Sequence, residues 1–489
     1  MNFDSHEHLR RATQYPSPHA GRHGFSNSYS VDYTERFAWF LSLVLVLLVL
    51  LSFVYNPVDT SQYVAVYSES SELPFVLASI VVFIAARNLW ISLGKDIGIC
   101  ELAGAIAAIQ WLLAPMLSYW MEIDHFKYFM YVDSDVYFSY TVPGTAIFMA
   151  GMMLPLGLAR KKNKIEIVQV STTICWSLLV VGFVASSVPR FVSVGPLAFV
   201  FFILSSLQYS AALMFLFTKG RLGWLVPVGI LVISGVKATN SGMFHDAILW
   251  ASMFAAYFFL KRPNRTIEKA LIILVGVFII MTIQIVKAEI RDVVWRGESN
   301  DTFTQIAYDE LVTNSKFLDQ SELESSVIRF NQGWIISRIM QQVPSAIPFA
   351  NGETFLDATE SALLPRFLAP DKKGAGGREI FFRFTGLELG ESTSMGTSIL
   401  GEAYGNFGAY GGCIAMFVFG LLLRLLTMHS YRIMDNFPAL IFFLPMIFLH
   451  AVKAETDSVT VLNFVAKSAV LSLIIVFAIS RIKGKTSST

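Results

Sequence analysis

The strongest constraint on this chain is a series of apolar runs, each about twenty residues long, separated by short polar turns. A helix needs about 20 mostly apolar residues to cross the hydrocarbon of a bilayer. Twelve stretches satisfy this: 37–54, 74–92, 98–119, 141–158, 169–188, 196–218, 223–238, 242–260, 268–287, 405–427, 437–453 and 459–480. The seventh and eighth can also be read as one broken hairpin around Lys237–Ser241. Composition agrees, because only 15% of the 489 residues are charged, against about 25% in soluble chains. With 54% hydrophobic residues and 41 phenylalanines, there is more apolar surface than a soluble core absorbs. The expected fold class is an all-α polytopic membrane protein, and nucleic-acid binders, disulfide-stapled secreted domains and disordered scaffolds are excluded. Cys100, Cys175 and Cys413 lie in or beside apolar runs without metal-type spacing, so they read as small hydrophobes.

Orientation follows from Lys and Arg, which stay preferentially on the cytoplasmic side. With the N-terminal tail inside and the spans alternating, the inner segments hold 21 Lys and Arg residues. The short outer connections hold only four: Lys127, Arg190, Lys237 and Lys453. One missed span would invert everything downstream, so this bias supports twelve spans with both termini cytoplasmic. The resulting plan is a tail over 1–36, nine spans over 37–287, a large extracytoplasmic loop over 288–395, three spans over 396–480, and a tail over 481–489. Asn56-Pro57-Val58-Asp59 follows the first run where a cleavage site would have small residues, so that run reads as a retained span. The tail histidines His6, His8, His19 and His23 have no ligand spacing, and no metal or other cofactor is expected.

The large loop is uneven. Residues 288–328 carry nine acids against Arg291, Arg296 and Lys316, whereas 329–383 carry seven cations against five acids. Pro344, Pro348, Pro365, Pro370 and the Gly374–Gly377 run interrupt long helices, while 331–343 and 356–364 permit short ones. Its aromatic and aliphatic content is too high for a disordered linker. A cap of short helices and turns on the outer membrane surface is expected.

Several constellations could carry chemistry. Arg366, Lys372, Lys373 and Arg378 lie within thirteen residues that also hold clustered glycines. Guanidinium forks suit diphosphate oxygens, and glycine lets backbone N–H groups approach an anion. The same stretch also reads as a basic loop resting on anionic headgroups. Gly401-Glu402-Ala403-Tyr404-Gly405-Asn406-Phe407-Gly408 opens the tenth span. An acid at the hydrocarbon edge is costly unless paired, so Glu402 is either functional or an interface residue paired with a loop arginine. Lys237, Asn240, His245 and Asp246 cluster between the seventh and eighth spans. Neighbours on a helix diverge, so His245 and Asp246 are no dyad. Asp133-Ser134-Asp135 has the form of a metal-binding D-x-D motif, but three residues are weak evidence of one, and an ordinary wet loop is the preferred reading.

The run Asn331-Gln332-Gly333, Pro344, Asn351-Gly352-Glu353-Thr354, Leu364-Pro365-Arg366 and Pro370-Asp371-Lys372, followed by the Gly401–Gly408 patch, resembles the oligosaccharide repeat-unit polymerases. These are the Wzy-type enzymes of O-antigen, capsule and exopolysaccharide synthesis. The resemblance is specific over about 330–410 and generic elsewhere. It implies a glycosyltransferase-C-like enzyme of the bacterial inner membrane, working at the periplasmic face on repeat units carried by undecaprenyl diphosphate, with no metal. A lipid bilayer, a chain-length regulator and a flippase are the further partners to expect, and no nucleic acid. Family members rely on loop arginines, which match Arg329, Arg366 and Arg378 here; where many carry Arg before the eighth span, this chain has Lys237.

On that scheme a diphosphate leaves, so cations must be placed in advance. Arg366, Lys372 and Arg378 would do this, with Arg329, Arg190 and Lys237 as further substrate contacts. The attacking hydroxyl needs a base. Glu402 is the first expectation and His245 the second, and Tyr404 and Asn406 could orient sugar hydroxyls. A hollow beside Glu402 is therefore expected. The rival readings are an O-antigen ligase, a secondary transporter or flippase with its charges near the midplane, of which only Lys467 is suitably placed, and an assembly scaffold.

Overall fold

The computed structural model describes residues 41–42, 44–49, 51, 72–155, 169–193, 195–241, 244–262, 265–296, 320–364, 377–390 and 393–486. Within them the chain is helical, with one isolated β-bridge between Leu93 and Asp96 and no strand. We label the helices α1 (Leu73–Ser92), α2 (Ile99–Trp120), α3 (Ser134–Met153), α4 (Thr172–Ser187), α5 (Ala198–Leu216), α6 (Leu222–Ser241), α7 (His245–Lys261) and α8 (Thr266–Arg296). Then come the short α9 (Gln320–Phe330), α10 (Gly333–Gln342), α11 (Glu353–Leu363) and α12 (Arg378–Thr385), followed by α13 (Ser398–Asn436), α14 (Pro438–Phe448) and α15 (Ser458–Thr486).

Seven helices among the described residues, α1, α2, α5, α6, α8, α13 and α15, are long and apolar enough to cross a membrane. The protein is a multi-pass helical membrane protein by that measure. The expected count of twelve is a finer statement than the helices establish. Helix α4 is apolar but has 16 residues. The run 437–453 forms a 3-10 turn and one short helical segment that end at Phe448. Residues 449–457 are irregular, so the eleventh run yields a short helix and a polar turn.

Two long helices form the centre. Helix α3 lies against α13 along glycines: a Cβ on Gly151 would sit 2.6 Å from the Phe417 carbonyl oxygen, and one on Gly420 2.3 Å from that of Phe148. Backbones this close leave no room for side chains, and small residues are how helices achieve such packing in lipid.

Breaks in α2 and α13 dock the short helices. In α2 a π-turn over Ile109–Leu113 is followed by Pro115, which has no N–H to donate back along the helix. The Trp111 carbonyl instead accepts from Tyr137 Oη at 2.8 Å, and the Gln110 carbonyl accepts from the Gln332 amide at 3.2 Å. In α13, Gly408 has φ 68° and ψ −167°, which glycine alone adopts cheaply. Beside that break the Gly405 and Asn406 carbonyls accept from the Ala350 and Asn351 amides, each at 3.0 Å. Exposed backbone groups are intolerable in hydrocarbon, so each break fixes a loop segment onto the bundle. Both breaks lie at the end of the bundle that carries α9–α12.

Candidate functional site

At this loop end the side chains form two neighbouring polar arrangements. The first surrounds Glu402, which is fully buried in the first turns of α13. Its Oε1 accepts from Thr354 Oγ1 at 2.6 Å and from Ser458 Oγ at 2.7 Å, and its Oε2 accepts from the Ser458 amide at 2.7 Å. Asn406, one turn on, donates from Nδ2 to Thr354 Oγ1 and to the Glu402 carbonyl, both at 2.8 Å, and accepts the Gly352 amide at 3.0 Å. One carboxylate thus joins the start of α11, the start of α13 and the first amide of α15, where the helix dipole also favours negative charge. The polar line continues down α15: Asn463 donates to Ser361 at 2.8 Å and accepts from Lys467 Nζ at 2.6 Å. Lys467 also lies 4.5 Å over the Phe199 ring.

The second arrangement is a cavity of about 870 Å³, within the usual range of small-molecule sites. Its walls come from segments far apart in sequence: His125 and Tyr128 after α2, Phe199 and Phe202 in α5, Ser325 to Ile335 across α9 and α10, Ser394 to Gly396, and His450 to Phe464. One wall is an aromatic panel. The His450 imidazole stacks on Phe464 with ring centroids 3.6 Å apart, and Phe199 and Phe202 pack on Phe464 at 4.7 and 5.4 Å. Across from it Tyr128 meets Trp334 at 5.1 Å. Arg329, Lys453, Glu455 and Asp457 supply charge.

The turn between α14 and α15 organises this cavity. Asp457 caps α15, its Oδ1 accepting the Thr460 amide at 2.8 Å, the usual N-cap bond; burial raises its pKa above the ordinary carboxyl value. Lys453, 8% exposed, donates to Asp246 at 2.5 Å, while Glu455 lies 3.6 Å from His245 Nδ1. His450 is also 8% exposed. Burial first, then the nearby Lys453 charge, push its pKa down to about 3, so the ring is neutral at physiological pH. Neither ring nitrogen has a hydrogen-bond partner in the structure.

Of the residues singled out in the sequence, Arg329 lines the cavity and His245 reaches it through Glu455. Glu402 does not line it: both oxygens accept bonds from within the protein, and the residue is sealed off. Its partners are hydroxyls and an amide, where a loop arginine had been the alternative to a proton-accepting role. The hollow expected beside it lies one residue beyond Ser458, at Asp457. Asn406 belongs to the same clamp, and buried Tyr404 packs on Tyr140 at 5.0 Å, so neither meets the cavity. Arg378 is exposed and donates to the Leu389 carbonyl at 2.7 Å. Lys237 approaches Ser186 Oγ at 3.4 Å. Arg190 closes a 3-10 turn before α5, and Asp133 and Asp135 sit at the start of α3. Arg366 and Lys372 lie outside the described residues. The stretch that carries them rejoins the described chain at Gly377, where a Cβ would sit 2.8 Å from the Met395 carbonyl oxygen and 2.9 Å from Asp457 Oδ2. Both of these residues line the cavity.

Sequence reading missed His450, Glu455 and Asp457, although a signal was present: together with Lys453 they put four ionisable residues into the eight positions where one apolar run ends before the next begins.

The family model described as Domain of unknown function (DUF8712) matches residues 120–483. The chain belongs to this family. No curated protein and no solved structure matches it. In this DUF8712 member the matched region contains every residue lining the cavity and the whole Glu402 clamp.

Proposed function

We propose that this protein polymerises oligosaccharide repeat units carried on undecaprenyl diphosphate, at the periplasmic face of the bacterial inner membrane, within a twelve-span, glycosyltransferase-C-like bundle. A hydroxyl of one lipid-linked unit attacks the anomeric carbon of a chain on another lipid. The new glycosidic bond forms as the bond to the diphosphate breaks, and the hydroxyl proton passes to a base. Arg329, together with Arg366 and Lys372, would stabilise the leaving diphosphate. Of the two bases named from the sequence, His245 is the one joined to the cavity wall, through Glu455 3.6 Å from its Nδ1, which would orient the ring. Glu402 holds the helices that frame the site.

The observation carrying this reading is that a substrate-sized cavity containing Arg329 opens at the loop end of the bundle. The basic, glycine-rich stretch ends against its wall at Gly377. The repeat-unit polymerase resemblance over 330–410 supplies the chemistry. The test is to delete the gene and resolve the glycans on a gel. Single-unit glycan supports polymerisation. Lipid-linked polymer that never leaves its carrier points to a ligase, and unaltered glycan to a transporter or scaffold. Complementation with His245→Gln should leave single units at normal protein levels.

A further inference from the structure

We infer that His450 is a ligand-binding residue, which takes a sugar hydroxyl in a pyranose subsite formed by the aromatic panel of this cavity. The inference rests on the polymerisation reading for the identity of the glycan, but its argument is local.

A polar group nine-tenths buried is nearly always hydrogen-bonded, and leaving it unmade is costly. His450 breaks this rule at both nitrogens, and half-buried Gln332, also on the cavity wall, has a buried Oε1 without a partner. Both belong to one cavity. A neutral imidazole presents one donor and one acceptor, and the Gln332 oxygen adds an acceptor. A hydroxyl both donates and accepts, so a polyol satisfies this set, whereas a phosphate has only acceptors to offer an amide oxygen.

The charges point the same way. Lys453 already donates to Asp246, and Glu455 and Asp457 offset the cations on the wall. Around His450 the charges therefore balance, which suits an uncharged ring at this part of the wall. The flat His450–Phe464 stack offers an aromatic face of negative potential, against which the slightly positive C–H face of a pyranose rests while its equatorial hydroxyls reach sideways. Anchored in this way, the sugar would bring its glycosidic end toward Arg329.

The experiment uses the full chain in nanodiscs, with oligosaccharides released by mild acid from the host's own lipid-linked glycan as probe, read by saturation-transfer NMR. Wild type should show transfer to the sugar protons. His450→Phe, which keeps the stack but removes both nitrogens, should weaken the apparent affinity about tenfold, the weight of one hydrogen bond. His450→Gln should recover part of it. If His450→Phe fails to insert, Gln332→Leu addresses the same subsite and should weaken binding similarly. Absence of transfer with wild type, or equal affinity in the variants, overturns the inference. The two readings fail separately. Equal affinity in His450→Phe with polymer lost on gene deletion removes the subsite and leaves polymerisation. Weakened affinity with glycan unaltered on deletion removes polymerisation and leaves the subsite.

Discussion

The Glu402 clamp and the His450 wall are neighbouring polar regions, yet they differ in completeness. Around Glu402 each carboxylate oxygen and its neighbouring amides and hydroxyls are partnered within the protein. Around His450, a residue of the cavity wall, two ring nitrogens have no partner within the protein. A satisfied buried network specifies architecture, while an unsatisfied one at a cavity wall is shaped for something else. Sequence position would have ranked the two the other way, because the Gly-Glu-Ala-Tyr patch is the conspicuous one.

The largest expected effect lies in the clamp. Glu402→Ala leaves Thr354, Ser458 Oγ and the Ser458 amide without an acceptor, at a cost on the order of 4 kcal/mol. Little folded protein should survive detergent extraction, as judged by size-exclusion chromatography. Glu402→Gln, which keeps one acceptor oxygen, should fall between Ala and wild type. If Glu402→Ala instead yields stable protein that cannot extend chains, the contrast between the two regions is wrong.

The next effect is in the wall and depends on pH. Unfolded His450 takes a proton near 6.5, whereas the folded ring resists until about 3. Between these values the unfolded state binds more protons, so stability falls as pH falls, by about 1.4 kcal/mol per unit below 6.5. Lys453, Asp246 and His245 are the charged groups that bear on the ring. Asp457, with its raised pKa, works in the opposite direction, its contribution being lost as pH rises. The thermal midpoint of wild type should therefore fall relative to that of His450→Phe as the pH drops from 6.5 to 5.5. At neutral pH His450→Phe should hold or slightly raise the midpoint, within about 1 kcal/mol, since it removes two unmet groups. The smallest effect belongs to Arg383→Ala, which breaks a 2.7 Å pair with Glu353 at the surface. It should cost under about 1 kcal/mol.

The membrane-embedded helices are readable because a twenty-residue apolar run is a local signal. Within the run 437–453 the helix ends at Phe448, although the apolar character continues to Val452. The short helices α10 and α11 fall close to the stretches that residue pattern permits. Glu402 was legible as an expensive acid, but its partners were not, since Thr354 and Ser458 lie 48 and 56 residues away. The cavity was the least legible feature: its lining is drawn from positions between His125 and Phe464, and no local pattern encodes that convergence. The breaks that bring the walls together, Pro115 after a π-turn and Gly408, look like ordinary residues until their carbonyl partners are known.

Arg329 is the sequence-expected cation that lines the cavity, and replacing it tests the account most directly. Arg329→Ala, expressed in the gene-deleted host with protein level checked by immunoblot, should leave single-unit glycan on a gel despite normal protein. Long polymer of unchanged length distribution from the same cells would contradict the assignment of this cavity as the functional site.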